Sequence, residues 1–120
     1  MKQIMQHNEF EKSKIYTLNN MIEYVPGSVV SKTIIRKTTG NISVIAIDAG
    51  EIEAEKISPF DTLIQVIDGE AEIIIDEQLN WLKMGTTIII PAHTPHVIKA
   101  TRQSKMISTV IKSGYEGNII

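Results

Sequence analysis

Apolar residues fall along this chain in runs of four to seven, too short for ordinary helices. Gly, Asn, Asp and Pro separate the runs at intervals of roughly 8–12 residues, the spacing of a β-sandwich or barrel. Ile is abundant, with Val and Thr beside it, and β-branched side chains suit a pleated surface. The pattern predicts strands at Val29 to Thr38, Ile42 to Asp48, Ile52 to Ile57, Thr62 to Asp68 and Glu70 to Asp76. Further strands are expected at Leu79 to Lys83, Thr86 to Ile90, His96 to Thr101 and Lys105 to Lys112. Turns belong at Thr39-Gly40-Asn41, Gly69 and Gly85, and Pro91 ends a strand. Alternation predicts Ile64, Val66, Ile73, Ile75, Ile89 and Ile98 in the core.

Two weaker segments precede the strands. Asn8 to Lys14 reads as a helical turn capped by Asn8, and Leu18 to Tyr24 as another capped by Asn19 or Asn20. The chain then divides into an N-terminal extension (1–27), a β-barrel (28–112) and a C-terminal tail (113–120) of loop composition, expected to be mobile. His7 falls in a leader expected to be disordered and takes no role. Short antiparallel strands close as a double-sheet jelly roll or an up-and-down barrel, and the pattern alone does not choose.

Composition narrows the function more than the fold. A length of 120 residues is one domain, long enough for a core without staples. There is no cysteine, which excludes disulfides and thiolate metal sites. The net charge is -2, and the longest basic run is Arg36-Lys37. Nucleic acid binding, which needs clustered phosphate contacts, is therefore not expected. No apolar run approaches the roughly 18 residues of a membrane span. The polar start of the chain lacks a signal-peptide pattern, so the expected location is the cytoplasm. No Ser-His-Asp order, phosphate loop or dinucleotide-binding turn occurs.

Two stretches change the picture. Residues 50–69 read GEIEAEKISPFDTLIQVIDG and residues 85–100 read GTTIIIPAHTPHVIKA. In order and spacing they resemble the two motifs of the cupins, G-x5-H-x-H-x3-E-x6-G and G-x5-P-x-G-x2-H-x3-N. Gly50, Gly69, Gly85, Pro91 and His96 stand at the matching positions. The chain is most similar to small single-domain cupins with a P-x-D turn, here Pro59-Phe60-Asp61. The resemblance covers roughly residues 28–112. It implies an all-β, double-stranded β-helix, the cupin-type jelly-roll barrel of RmlC-like proteins, with a short N-terminal helical segment.

The matching glycines and proline do structural work. The positions that carry chemistry depart from the family. Its metal ligands map onto Lys56, Ser58, Thr62 and His96, an ammonium, two hydroxyls and one imidazole. The second motif's glycine is His93 and its final Asn is Ala100. No bound metal and no cofactor are expected from this set, because transition-metal sites normally need three or more good donors.

The expected site is the barrel mouth, lined by Lys56, Ser58, Asp61, Thr62, His93 and His96. Each has a plainer reading as well. Lys56 could pair with Glu53, Glu55 or Asp61, and Asp61 and Ser58 are common turn residues. His93 could face solvent, and His96 could be a hydrogen-bonded barrel residue. Trp81 suits sheet or interface packing, and Glu70 and Glu72 suit a solvated strand face.

Three functions follow. The first is a non-metal barrel, not clearly an enzyme, that binds a small polar or anionic molecule. The second is a metal-dependent dioxygenase or isomerase using His96, His93 and Asp61. The third is a structural or sensory dimeric module. A homodimer is expected in each case, since exposed sheet edges need protection, with Ile15 to Tyr24 placed to lie across the partner.

Overall fold

The structure is a computed structural model that describes residues 2–114. Ten strands carry the fold: β1 Lys2–Gln6, β2 Ser28–Lys37, β3 Gly40–Ile47, β4 Ile52–Lys56, β5 Thr62–Asp68, β6 Glu70–Ile75, β7 Gln78–Lys83, β8 Thr87–Ile90, β9 His96–Lys99 and β10 Ser104–Ile111. β2 to β10 are the nine expected strands, with every end within two residues of its expected place. They form a six-stranded sheet in the order β1-β2-β3-β10-β5-β8 and a four-stranded sheet in the order β4-β9-β6-β7. Neighbours are antiparallel throughout except β1 and β2, which run parallel.

The sheets face each other across an apolar core. Val29, Ile47, Val66 and Met106 from the larger sheet meet Ala71, Ile73, Leu82 and Ile98 from the smaller one. The chain passes between sheets at Gly69, whose φ of +67° suits glycine best. A side chain there would also collide with the backbone carbonyl of Gln103.

A second cluster explains why β2 and β3 are apolar on both faces. Val30, Val44 and Ala46 point outward from the larger sheet and are covered by Met21 and Ile22 of the N-terminal segment. That segment is latched at its far end. Lys105, only 8% exposed, donates from Nζ to Asn19 O at 2.6 Å. Its ammonium also lies 4.8 Å from the centre of the Tyr24 ring. Tyr24 in turn donates its hydroxyl hydrogen to Asp68 at 2.6 Å. Burial first, then that bond and the Asp68 charge, push the Tyr24 phenol well above its ordinary range. Asp48 pins the other end of the strap, accepting from Gly27 N–H at 2.7 Å and from Gln103 at 3.0 Å. Those bonds, Gly27's foremost, hold its carboxyl below the usual range.

Several expectations need correction. Asn8 to Lys14 is not helical. It runs as an extended strap, with Phe10 N–H bonded to Ile34 O at 3.3 Å and Glu9 Oε1 accepting from Arg36 N–H at 2.8 Å. Leu18 to Tyr24 holds only a 3₁₀ turn at Leu18–Asn20, preceded by Thr17 rather than capped by Asn19 or Asn20. Docking of Met21 and Ile22 onto the sheet outweighs the local helical preference. The start of the chain is not a structureless leader either, because Lys2–Gln6 adds a strand to the larger sheet. In the core, Ile64, Val66, Ile73 and Ile98 are buried and Ile75 is half-buried, but Ile89 is 64% exposed. In the run Ile88-Ile89-Ile90 the flanking residues point inward, and an unbroken apolar run cannot reveal that phase. The tail expected at 113–120 lies outside the described residues beyond Gly114. Among the described residues no helix is long and apolar enough to cross a membrane.

Candidate functional site

The alternation that buries Val29 and Ile47 at one end of the barrel turns polar towards the other. On β2 the inward positions after Val29 are Ser31 and Thr33, and on β3 they run back from Ile47 through Ile45 to Ser43. The cross-strand register sets Thr33 opposite Ser43, and Ser43 opposite Ser108 of β10. Three hydroxyls therefore form one row across three adjacent strands. With Ile45, Ile64 and Ile98 below them, they bound a cavity of about 550 Å³.

The smaller sheet supplies the opposite wall. Register pairs Lys56 of β4 with His96 of β9, and Glu53 with Ile98 one layer deeper. Lys56, His96 and Glu53 all line the cavity. Glu53 is buried, its side chain only 8% exposed, and its Oε1 forms a short ion pair with Lys56 Nζ. Its other oxygen, Oε2, is buried and has no hydrogen-bond partner. Lys56 is half-exposed, reaching from the mouth down to this carboxylate. His96 Nδ1 lies 3.3 Å from Thr94 O. A carbonyl only accepts, so Nδ1 is the donor in that contact.

Of the six expected residues, Lys56, Ser58, Thr62 and His96 line this cavity; Asp61 and His93 do not. Asp61 Oδ1 accepts from Ala92 N–H at 2.8 Å, which ties the two motif loops together. His93 is exposed, with φ at +62°, and its N–H donates to Ser58 O at 2.6 Å. The family's glycine at this position thus has a backbone reason, which histidine meets in the left-handed region. A metal site built from His96, His93 and Asp61 is not assembled. Among the described residues no three His, Cys, Asp or Glu side chains converge on a common point.

Other lining residues were not expected. Gln3, Met5 and His7 arrive with β1, so His7 has a place beside the cavity after all. Nothing in the polar stretch KQIMQ announces a strand, since it pairs at a parallel edge and buries little. Arg36 and Lys112 stand at the rim, together with the β2–β3 hairpin. Arg36-Lys37 was visible only as a short basic run. Among the described residues the cavity lining therefore carries three cations, Arg36, Lys56 and Lys112, against the carboxylate of Glu53. Among the described residues the ion pairs are Lys56–Glu53 and Arg102–Glu70, so neither Arg36 nor Lys112 is neutralised by one. Positive potential in a partly enclosed, low-dielectric cleft is stronger than on open surface.

Among proteins of known structure, a conserved protein of unknown function from Streptococcus pyogenes is similar, with 28% identity and a TM-score of 0.83. The match covers 94% of this chain and 96% of that one. A cupin superfamily protein from Desulfitobacterium hafniense matches at 25% identity and a TM-score of 0.82, over 88% of this chain and 97% of that one. An RmlC-like cupin from Desulfovibrio desulfuricans shares the fold at 20% identity and a TM-score of 0.74, over 82% and 96% of the two chains. No family model matches the chain, and no curated protein does. The fold is the cupin double-stranded β-helix, as the two motifs implied.

Proposed function

We propose that this cupin-fold protein is a binding barrel for a small polar or anionic molecule and works without a transition metal. The observation that carries this reading is the cavity wall, with three cations, one buried carboxylate and a row of hydroxyls. The positions where the family carries ligands offer one imidazole, two hydroxyls and an ammonium already engaged with Glu53. That donor set does not fit a divalent transition metal. It does fit an anion, because charge-assisted hydrogen bonds from Arg and Lys are about twice as strong as neutral ones.

The test is a thermal-shift screen of small carboxylates and sugar acids, repeated on Lys56→Met. A ligand present at a hundred times its Kd adds about 2.7 kcal/mol. That corresponds to a rise in Tm of roughly 8–14 °C, at about 3–5 °C per kcal/mol for a domain of this size. The expected result is a rise for acids that falls in the variant. A rise that survives in Lys56→Met would place binding elsewhere, and no rise with any acid would overturn the reading. One metal per chain, bound by His96 in protein purified without chelators, would overturn its metal-free part.

The same reading holds the protein to be a cytoplasmic homodimer. Leu79 and Trp81, 55% and 46% exposed, lie on β7 at the free edge of the smaller sheet, and Ile15 is 97% exposed on the strap. Edges and apolar side chains of this kind favour a covering partner. Light scattering that gave a monomer at micromolar concentration would remove the dimer.

A further inference from the structure

We infer that the cavity is built for a polyhydroxylated monocarboxylate, an acid of the aldonate or uronate type. Its carboxylate lies at Arg36 and Lys112, and its hydroxyls lie between the Thr33–Ser43–Ser108 row and Glu53. This rests on the binding role proposed above and narrows it.

The two walls ask for different chemistry. Thr33, Ser43 and Ser108 line the cavity, and none of their hydroxyls makes a side-chain hydrogen bond among the described residues. Neighbouring strands lie ~4.8 Å apart, so the row extends about 10 Å, the span of a sugar-sized molecule. A hydroxyl can donate and accept, so a run of them suits a polyol, whose groups do the same. Opposite the row, the buried Glu53 Oε2 has no donor. A buried carboxylate oxygen without a partner is costly, and only a donor can relieve it. A ligand hydroxyl is such a donor, whereas a second ligand carboxylate would be repelled. Ile45, Ile64 and Ile98 supply apolar contact for the C–H face of a sugar chain.

The acid group has one favourable end. Arg36 and Lys112 lie on the rim beside the hairpin, adjoined by Lys37, Thr38 and Thr39. Two carboxylates near this end are held by backbone N–H groups, and among the described residues neither forms an ion pair with Arg36 or Lys112. Glu9 accepts from the Arg36 backbone N–H at 2.8 Å, and Asp61 accepts from Ala92 N–H, also at 2.8 Å. The cavity thus has a cationic end, an apolar floor and a hydroxyl wall that faces an acceptor. That order orients a hydroxy acid head to tail. It disfavours both a neutral polyol, which leaves the cations idle, and a dicarboxylate, which meets Glu53.

Titration calorimetry on the full chain tests this with a panel of five- and six-carbon aldonates and uronates. The comparison ligands are sorbitol, hexanoate and glutarate. The best sugar acid is expected to bind at least tenfold tighter than any of the three. The double variant Ser43→Ala/Ser108→Ala is expected to lose about tenfold for that acid and to leave hexanoate unchanged. Arg36→Gln is expected to weaken every acid, with the unliganded Tm reported for each variant as a check of folding. Hexanoate or glutarate binding as tightly as the sugar acid, or an undiminished affinity in the serine variant, would overturn the inference and leave the wider anion-binding role standing. Sorbitol binding as tightly as the acid would overturn the assigned cationic end. Failure of every acid to bind would remove the wider role as well.

Discussion

Replacing Gly69 by alanine is expected to destabilise the barrel far more than the same change at Gly50, although both glycines have positive φ, +67° and +80°. At Gly50 an added Cβ meets nothing within 4 Å. The cost there is conformational, about 1–2 kcal/mol for an L-residue in the left-handed region. It is offset by about 0.4–1 kcal/mol from the stiffer unfolded chain. A net loss of about 1 kcal/mol follows. At Gly69 the Cβ would sit inside the contact distance of Gln103 O, with Ser104 Cα at 3.1 Å. Both obstacles are backbone, and Ser104 opens β10, which is held between β3 and β5. That strand cannot swing aside as a side chain would, so overpacking adds about 1–3 kcal/mol. The total is roughly 2–4 kcal/mol at Gly69, a fall in Tm of about 6–20 °C against about 3–5 °C at Gly50. Urea unfolding followed by far-ultraviolet circular dichroism measures both, and an unchanged m-value shows that the same surface unfolds. Losses equal to within about 0.5 kcal/mol would refute the steric account, since conformation alone would then explain both positions.

Lys105→Met keeps the aliphatic stem but loses the bond to Asn19 O and the contact with the Tyr24 ring. Limited proteolysis is expected to cut the strap at residues 8–27 faster, with a stability loss of about 1–3 kcal/mol; an unchanged cutting rate would mean that the latch lies elsewhere. Tyr24 has a folded pKa raised by burial and by Asp68, so its contribution is complete below the ordinary tyrosine value of 10.0 and is lost as pH rises above it. Tyr24→Phe is expected to cost about 1–2 kcal/mol at neutral pH and to flatten the alkaline fall in stability, whereas identical alkaline limbs would contradict the bond to Asp68. His93→Gly relieves a left-handed histidine outside the cavity, so stability is expected to hold or rise by up to about 1 kcal/mol, a Tm rise of at most about 5 °C. Ligand shifts in that variant are expected to match the wild type, and their loss would return His93 to the site.

Strand formation in this chain is mostly a local matter, and it was legible. Short β-branched runs ended by Gly, Asn, Asp and Pro located β2 to β10, and the two motif stretches chose the jelly roll over other closures. Motif spacing also brought Lys56, Ser58, Thr62 and His96 to one cavity: Lys56 pairs with His96 across β4 and β9, while Ser58 and Thr62 follow in the turn and on the facing sheet. The same spacing could not distinguish a residue that lines a wall from one that ties a loop, which is why Asp61 and His93 fell outside. What depends on closure was not legible. β1 is a polar edge strand whose partner residues lie 26 positions away (Lys2 opposite Ser28), so no local periodicity marks it. Ile89 sits in an apolar run with no alternation to set its phase. Thr33, Ser43 and Ser108 are far apart along the chain and read singly as ordinary strand residues. They become one row only when β2, β3 and β10 pair. The Lys56–Glu53 pair lies within one strand and was among the expected pairings, but the burial that leaves Glu53 Oε2 without a donor comes only with the closed barrel. Local sequence determines which segments extend and where they turn, since backbone preference and hydrophobic period act over a few residues. The cavity's chemistry belongs to neighbours across strands and sheets, and only the tertiary pairing decides who those neighbours are.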